Sequence, residues 1–86
     1  MTVRQFENLN EKDQEKVIAR YGVLVGTREK GIIHIRLYQV HSFYVELHHH
    51  QHFNVNIKIR AFSNTNYLSP YFRKGDVSEL LRAFSY

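Results

Sequence analysis

The chain has no cysteine, which excludes disulfides, thiolate metal sites and a cysteine nucleophile. Tryptophan is absent, proline occurs once and the four glycines stand singly, so there is neither a proline-rich linker nor a glycine-rich phosphate loop. GxSxG and HExxH motifs are missing too. No apolar run approaches the roughly 18–20 residues of a membrane span, and the polar N-terminus is not expected to act as a signal peptide. The expectation is a cytoplasmic protein with no membrane partner. What is present is a folding composition: 43% hydrophobic residues, with six Phe and six Tyr in 86 residues, argue against disorder. Length allows one domain, residues 1–86, with room for one modest core.

The net charge of +4 is unevenly placed. Residues 1–22 balance, with Arg4, Lys12, Lys16 and Arg20 against Glu7, Glu11, Asp13 and Glu15. Residues 23–75 carry Arg28, Lys30, Arg36, Lys58, Arg60, Arg73 and Lys74 against Glu29 and Glu46 alone. The excess lies where a sheet is expected, and it permits attraction to anionic partners without requiring it.

Local periodicity predicts the elements. Val3, Phe6 and Leu9 recur at helical spacing, and Asn10 with Asp13 marks the start of a stronger helical stretch. Val17, Ile18 and Tyr21 give that stretch an apolar stripe, and Gly22 is expected to end it in the left-handed conformation. The period then changes to two. Val23 to Arg28 forms a short run, with a turn at Glu29-Lys30-Gly31. Ile33, Ile35 and Leu37; Phe43, Val45 and Leu47; and Val55, Ile57 and Ile59 alternate with polar or amphipathic neighbours. Three such runs in succession predict an antiparallel sheet covered on one face. Keeping every odd-numbered position inward requires paired residue numbers with an even sum, which pairing Gln39 with Phe43 satisfies. That register sets Arg36 opposite Glu46, Tyr38 opposite Tyr44 and His34 opposite His48. Ser69-Pro70 opens a short helical turn through Tyr71-Phe72. After Gly75, Asp76 and Glu79 begin a helix with Val77, Leu80, Leu81 and Phe84 on one side. The predicted fold is α+β: an N-terminal helix, a four-stranded antiparallel meander and a C-terminal helix, both helices on one face of the sheet.

The block Leu37-Tyr38-Gln39 followed by Phe43-Tyr44-Val45-Glu46-Leu47 resembles a family of small bacterial proteins frequent in Bacteroidetes. Ile59-Arg60-Ala61-Phe62 and the spacing of Thr65, Leu68, Pro70 and Tyr71 are similar to its later signature. The resemblance covers nearly the whole chain and implies a single domain. It brings no activity, cofactor or partner with it. Members often have acidic or Asn-rich turns after the third strand, where this chain has His48-His49-His50-Gln51-His52, so the run is not a family-wide site.

Candidate chemistry follows from the predicted outer face. His34, Arg36, Tyr38, Tyr44, His48, Lys58 and Arg60 would interleave aromatics with cations there. The same composition suits a protein interface or a single-stranded nucleic acid. The helix–strands–helix order also looks like the double-stranded-RNA-binding domain by topology. That domain opens its second helix with a basic cluster, whereas this helix opens at Asp76, with only Arg73 and Lys74 nearby. His48, His50 and His52 would point the same way in an extended strand and bind nickel or zinc adventitiously, but they lack the four converging ligands of a structural zinc site. No physiological metal and no cofactor is expected. His34, His48 and Glu46 could meet on the outer face as an acid–base group, yet a flat sheet lacks the concave pocket such work needs. No catalytic residue is expected. The leading reading is a non-enzymatic domain that contacts another protein, or a second copy of itself, through the sheet face or an edge. Weak nucleic-acid binding through the same face is the alternative.

Overall fold

The computed structural model describes residues 1–71. The helix predicted from Asp76 lies outside the described residues. The elements are α1 (Val3–Glu7), α2 (Glu11–Tyr21), β1 (Val23–Lys30), β2 (Ile33–Val40), β3 (Phe43–His50), β4 (Val55–Phe62) and a 3-10 helix (Thr65–Tyr71). The architecture is α+β, an antiparallel meander in the order β1-β2-β3-β4. No helix among the described residues is long and apolar enough to cross a membrane.

The helices begin where side chains replace missing backbone partners. In α1 the Thr2 hydroxyl accepts from the Gln5 N–H at 3.1 Å, and the Gln5 side chain accepts from the Thr2 N–H at 2.8 Å, a capping box. In α2 the Asn10 side chain accepts from the Asp13 N–H at 2.8 Å, as expected. Glu11 and Asp13 in the first turn and Arg20 in the last complement the helix dipole. Gly22 closes α2 in an extended conformation, φ −74°, and not in the left-handed one expected of it. Its lack of a side chain serves close approach. A Cβ there would stand 2.5 Å from the Ile18 carbonyl oxygen and 3.2 Å from Tyr38 Cδ1.

The expected register between β2 and β3 is wrong by one residue. Val40 pairs with Phe43, joined by His41-Ser42, with His41 at φ 53°. A two-residue connection beginning at positive φ matches the twist of the strands, whereas the expected pairing needs a three-residue loop. Arg36 therefore lies opposite Leu47, Tyr38 opposite Val45 and His34 opposite His49. The slip exchanges the faces of β2 relative to β3. Tyr38 and Val40 join Phe43 and Val45 beneath α1 and α2, where Phe6 and Ile18 complete one core. Ile35 and Leu37 join the row of Tyr44, Glu46 and His48 on the opposite face.

That opposite face is covered as well, which explains why the slip is tolerated. Leu68 and Tyr71 of the 3-10 helix pack with Leu37, Tyr44 and Phe62 in a second core. Phe43 to Leu47 are all buried, so β3 has no wet side through its first five residues. The expectation of a sheet covered on one face is corrected accordingly. With apolar partners on both sides, an inverted strand buries its side chains either way, and parity stops deciding the register. β1 carries one extra residue between Leu24 and Gly26, and β4 another between Asn56 and Lys58. The first hairpin turn is Gly31-Ile32, with Gly31 at φ 61°, while Glu29 and Lys30, expected in the turn, remain paired in β1.

Candidate functional site

The seven residues expected to share one outer face are divided between two. Tyr44, His48, Lys58 and Arg60 lie on the side of the 3-10 helix. His34, Arg36 and Tyr38 belong to the side of α1 and α2. Tyr44 is buried, its ring 5.9 Å from that of Phe62. Tyr38 packs partly buried against the helical core. His34 faces Glu29, with Nδ1 3.2 Å from Oε1, so it joins neither His48 nor Glu46 in an acid–base group. Arg36 is exposed and does not pair with Glu46. The β2–β3 register carries His34, Arg36 and Tyr38 to the helix side, whereas Tyr44 is buried because the 3-10 helix covers its face.

What the fold does bring together is a charged cluster around Glu46, which is 1% exposed. Its partners come from β1, β3 itself, β4 and the 3-10 helix. Tyr71 Oη donates to Oε2 at 2.6 Å, and Arg28 Nη2 reaches the same oxygen at 3.4 Å. On the other side His48 Nε2 lies 3.3 Å from Oε1 and Arg60 Nη1 3.8 Å from it. A carboxylate oxygen only accepts, so Nε2 of His48 carries the proton in this contact. Gly26 makes room for Tyr71: a Cβ there would stand 3.2 Å from Tyr71 Cδ1. Arg28 sits 5.5 Å from the Tyr71 ring centroid, and its buried Nε has no hydrogen-bond partner among the described residues. Arg60 lies 4.4 Å from the Tyr67 ring and 5.6 Å from that of Phe62, which orient its guanidinium.

Electrostatics follow from this geometry. Burial pushes the Glu46 carboxyl up, but the Tyr71 hydrogen bond, the Arg28 charge and His48 outweigh it, and the net shift is downward. Burial holds His48 below its ordinary value, with Lys58 and Arg28 adding to the effect against the opposing pull of Glu46. Burial and the Glu46 contact push the Tyr71 phenol up. At neutral pH the cluster is an ionised carboxylate, a neutral imidazole, a neutral phenol and two guanidinium ions. With its oxygens engaged by four groups, Glu46 anchors the 3-10 helix to the sheet. The sequence places Tyr71 only in a short helical turn and gives no sign that Arg28 would reach Glu46. The available signal was Glu46 itself, a lone acid between apolar strand positions.

The histidine run does not act as a unit. His48 turns to Glu46. His49 Nδ1 lies 2.8 Å from Asn56 Oδ1, and the Asn56 amide donates onward to Glu15 at 2.7 Å. His50 Nδ1 accepts from the Phe53 N–H at 3.1 Å, and its ring stands 4.6 Å from that of Phe53. The His52 ring is 5.0 Å from Phe53. Among the described residues no group of three or more His, Cys, Asp or Glu side chains could hold a metal ion.

One end of the sheet carries exposed apolar side chains. The Gln51 N–H donates to the Ile32 carbonyl at 2.9 Å, which sets the first and third hairpin turns side by side. Ile32, Phe53, Val55 and Ile57 around them are 56%, 68%, 49% and 51% exposed. Comparison with protein-family models, curated proteins and solved structures returns no match.

Proposed function

We propose that this chain is a non-enzymatic, cytoplasmic protein-interaction domain that takes an extended, acidic segment of another protein along β4. The observation that carries the reading is the exposure of Phe53, Val55 and Ile57 at and before a strand that has a neighbour on one side alone among the described residues. An edge strand offers backbone donors and acceptors to an added strand. Covering the exposed halves of the three side chains contributes about 3 kcal/mol, from roughly 1.5–3 kcal/mol for complete burial of each. Lys58 and Arg60 set the charge of the partner. Two copies of β4 would bring like charges together, whereas an acidic strand would neutralise them.

The test is a titration of the isotope-labelled chain with a capped peptide of alternating Ile and Glu, beside one of alternating Ile and Lys. The acidic peptide should shift amides of residues 53–60 saturably, and Ile57→Lys should abolish the effect. No saturable shift, or equal binding of both peptides, would sink the proposal. Self-association with β4 protected from hydrogen exchange would replace the foreign strand by a second copy. An oligothymidylate arm addresses nucleic acid, which would bind with steep salt dependence. Tyr44 is buried, and Tyr38 lies on the opposite face from Lys58 and Arg60 with Arg36 and His34 beside it, which favours the peptide reading over that alternative.

A further inference from the structure

Between α2 and the sheet lies a cleft of about 380 Å³, on the face opposite the Glu46 cluster and apart from the outer side of β4. Its walls are chiefly apolar. Ile18 and Leu47 expose only their edges to it, Tyr38 forms one side, and Gly22 leaves space that any side chain would take, since its Cβ would already touch the Tyr38 ring. Its polar groups are Glu15 and Asn56. They are tied together, the Asn56 amide donating to Glu15 Oε2 at 2.7 Å while its own oxygen faces His49 Nδ1 at 2.8 Å. That relay sets the orientation of the Asn56 side chain and holds the carboxylate at the cleft. None of the ion pairs among the described residues includes Glu15.

A small apolar cleft with one anchored carboxylate that no cation among the described residues pairs has a defined complement. Neutral apolar ligands would leave the carboxylate partly desolvated and unpaired, and anions would be repelled. We propose that this cleft binds a small primary amine of the arylalkyl or alkyl class. The ammonium pairs with Glu15, and the hydrocarbon body lies on Tyr38, Leu47 and Ile18. Both the volume and the mix of apolar wall with few polar groups are those of small-molecule sites.

The probe is 2-phenylethylammonium chloride, titrated into the isotope-labelled full chain. Saturable shifts are expected at Ile18, Gly22, Tyr38 and Leu47. The neutral isostere 2-phenylethanol should bind at least about tenfold more weakly, a difference of ~1.4 kcal/mol. Glu15→Gln keeps an acceptor for Asn56 and should weaken the amine by a similar factor while leaving the alcohol unchanged. Equal binding of amine and alcohol by the native chain overturns the assignment without any variant. So does a titration with no saturable shift, or one whose shifts lie outside the cleft. Shifts confined to Phe53, Val55 and Ile57 would count against this site and leave the peptide reading to its own test.

Discussion

Replacing Tyr71 by Phe removes one oxygen atom and leaves the ring on Gly26, so it isolates the 2.6 Å hydrogen bond to Glu46. A hydrogen bond to a charged group contributes about 1.5–3 kcal/mol, and this one is short and serves a carboxylate that water scarcely reaches. Arg28 and His48, at 3.4 and 3.3 Å, remain to hold the charge, which places the expected loss near 2 kcal/mol. For a domain of this size that lowers Tm by roughly 8–16 °C, at about 4–8 °C per kcal/mol. The loss should depend on pH with a definite sign. Glu46 is held below its ordinary value of 4.5 in the fold, so its ionised form contributes stability above that pH. This contribution disappears as pH falls through the folded-state value. Tyr71→Phe weakens the preference for the ionised form, so the variant and native curves should converge below about pH 4.5. Urea denaturation followed by circular dichroism at pH 7 and at successive acid values measures both effects. A loss under about 0.5 kcal/mol at pH 7, or one of equal size on both sides of the Glu46 titration, would refute the view that this carboxylate anchors the 3-10 helix.

Gly26→Val should force the Tyr71 ring off the sheet, because even a Cβ stands 3.2 Å from it; a loss of about 1–3 kcal/mol is expected, read by urea denaturation with the near-ultraviolet tyrosine signal as the local probe. Gly31→Ala places a side chain at φ 61°, in open space, so strain acts alone and about 1 kcal/mol should be lost with no change in the sheet's amide spectrum. Asn10→Ala removes the cap of α2 and should cost about 1 kcal/mol, with faster hydrogen exchange confined to the first turn of that helix.

Local chemistry was legible wherever a residue acts on its near neighbours. The Asn10 cap, the apolar stripe of α2, the four strands and the meander order could all be read from spacing and turn residues. Gly22 and Gly31 were recognised as punctuation, but the reason for Gly22 was misread: a Cβ there would stand 2.5 Å from the Ile18 carbonyl oxygen and 3.2 Å from Tyr38 on β2, so close approach and not a left-handed backbone requires it. Glu46 stood out as an isolated acid, yet nothing near it in sequence points to Tyr71, which lies 25 residues away on a helix covering a face expected to be wet.

The amino-acid order alone determined which segments extend, which coil and where most of them start, because capping and alternation operate over a few residues. Only the folded molecule decided which way β2 faces. Whether His41 and Ser42 alone make the turn is a difference of one residue, which reverses every side chain of that strand. The outcome depends on a second covering layer arriving from beyond the sheet. Since burial is indifferent to direction once both faces are apolar, the turn geometry and the Glu46 contacts settle the register together.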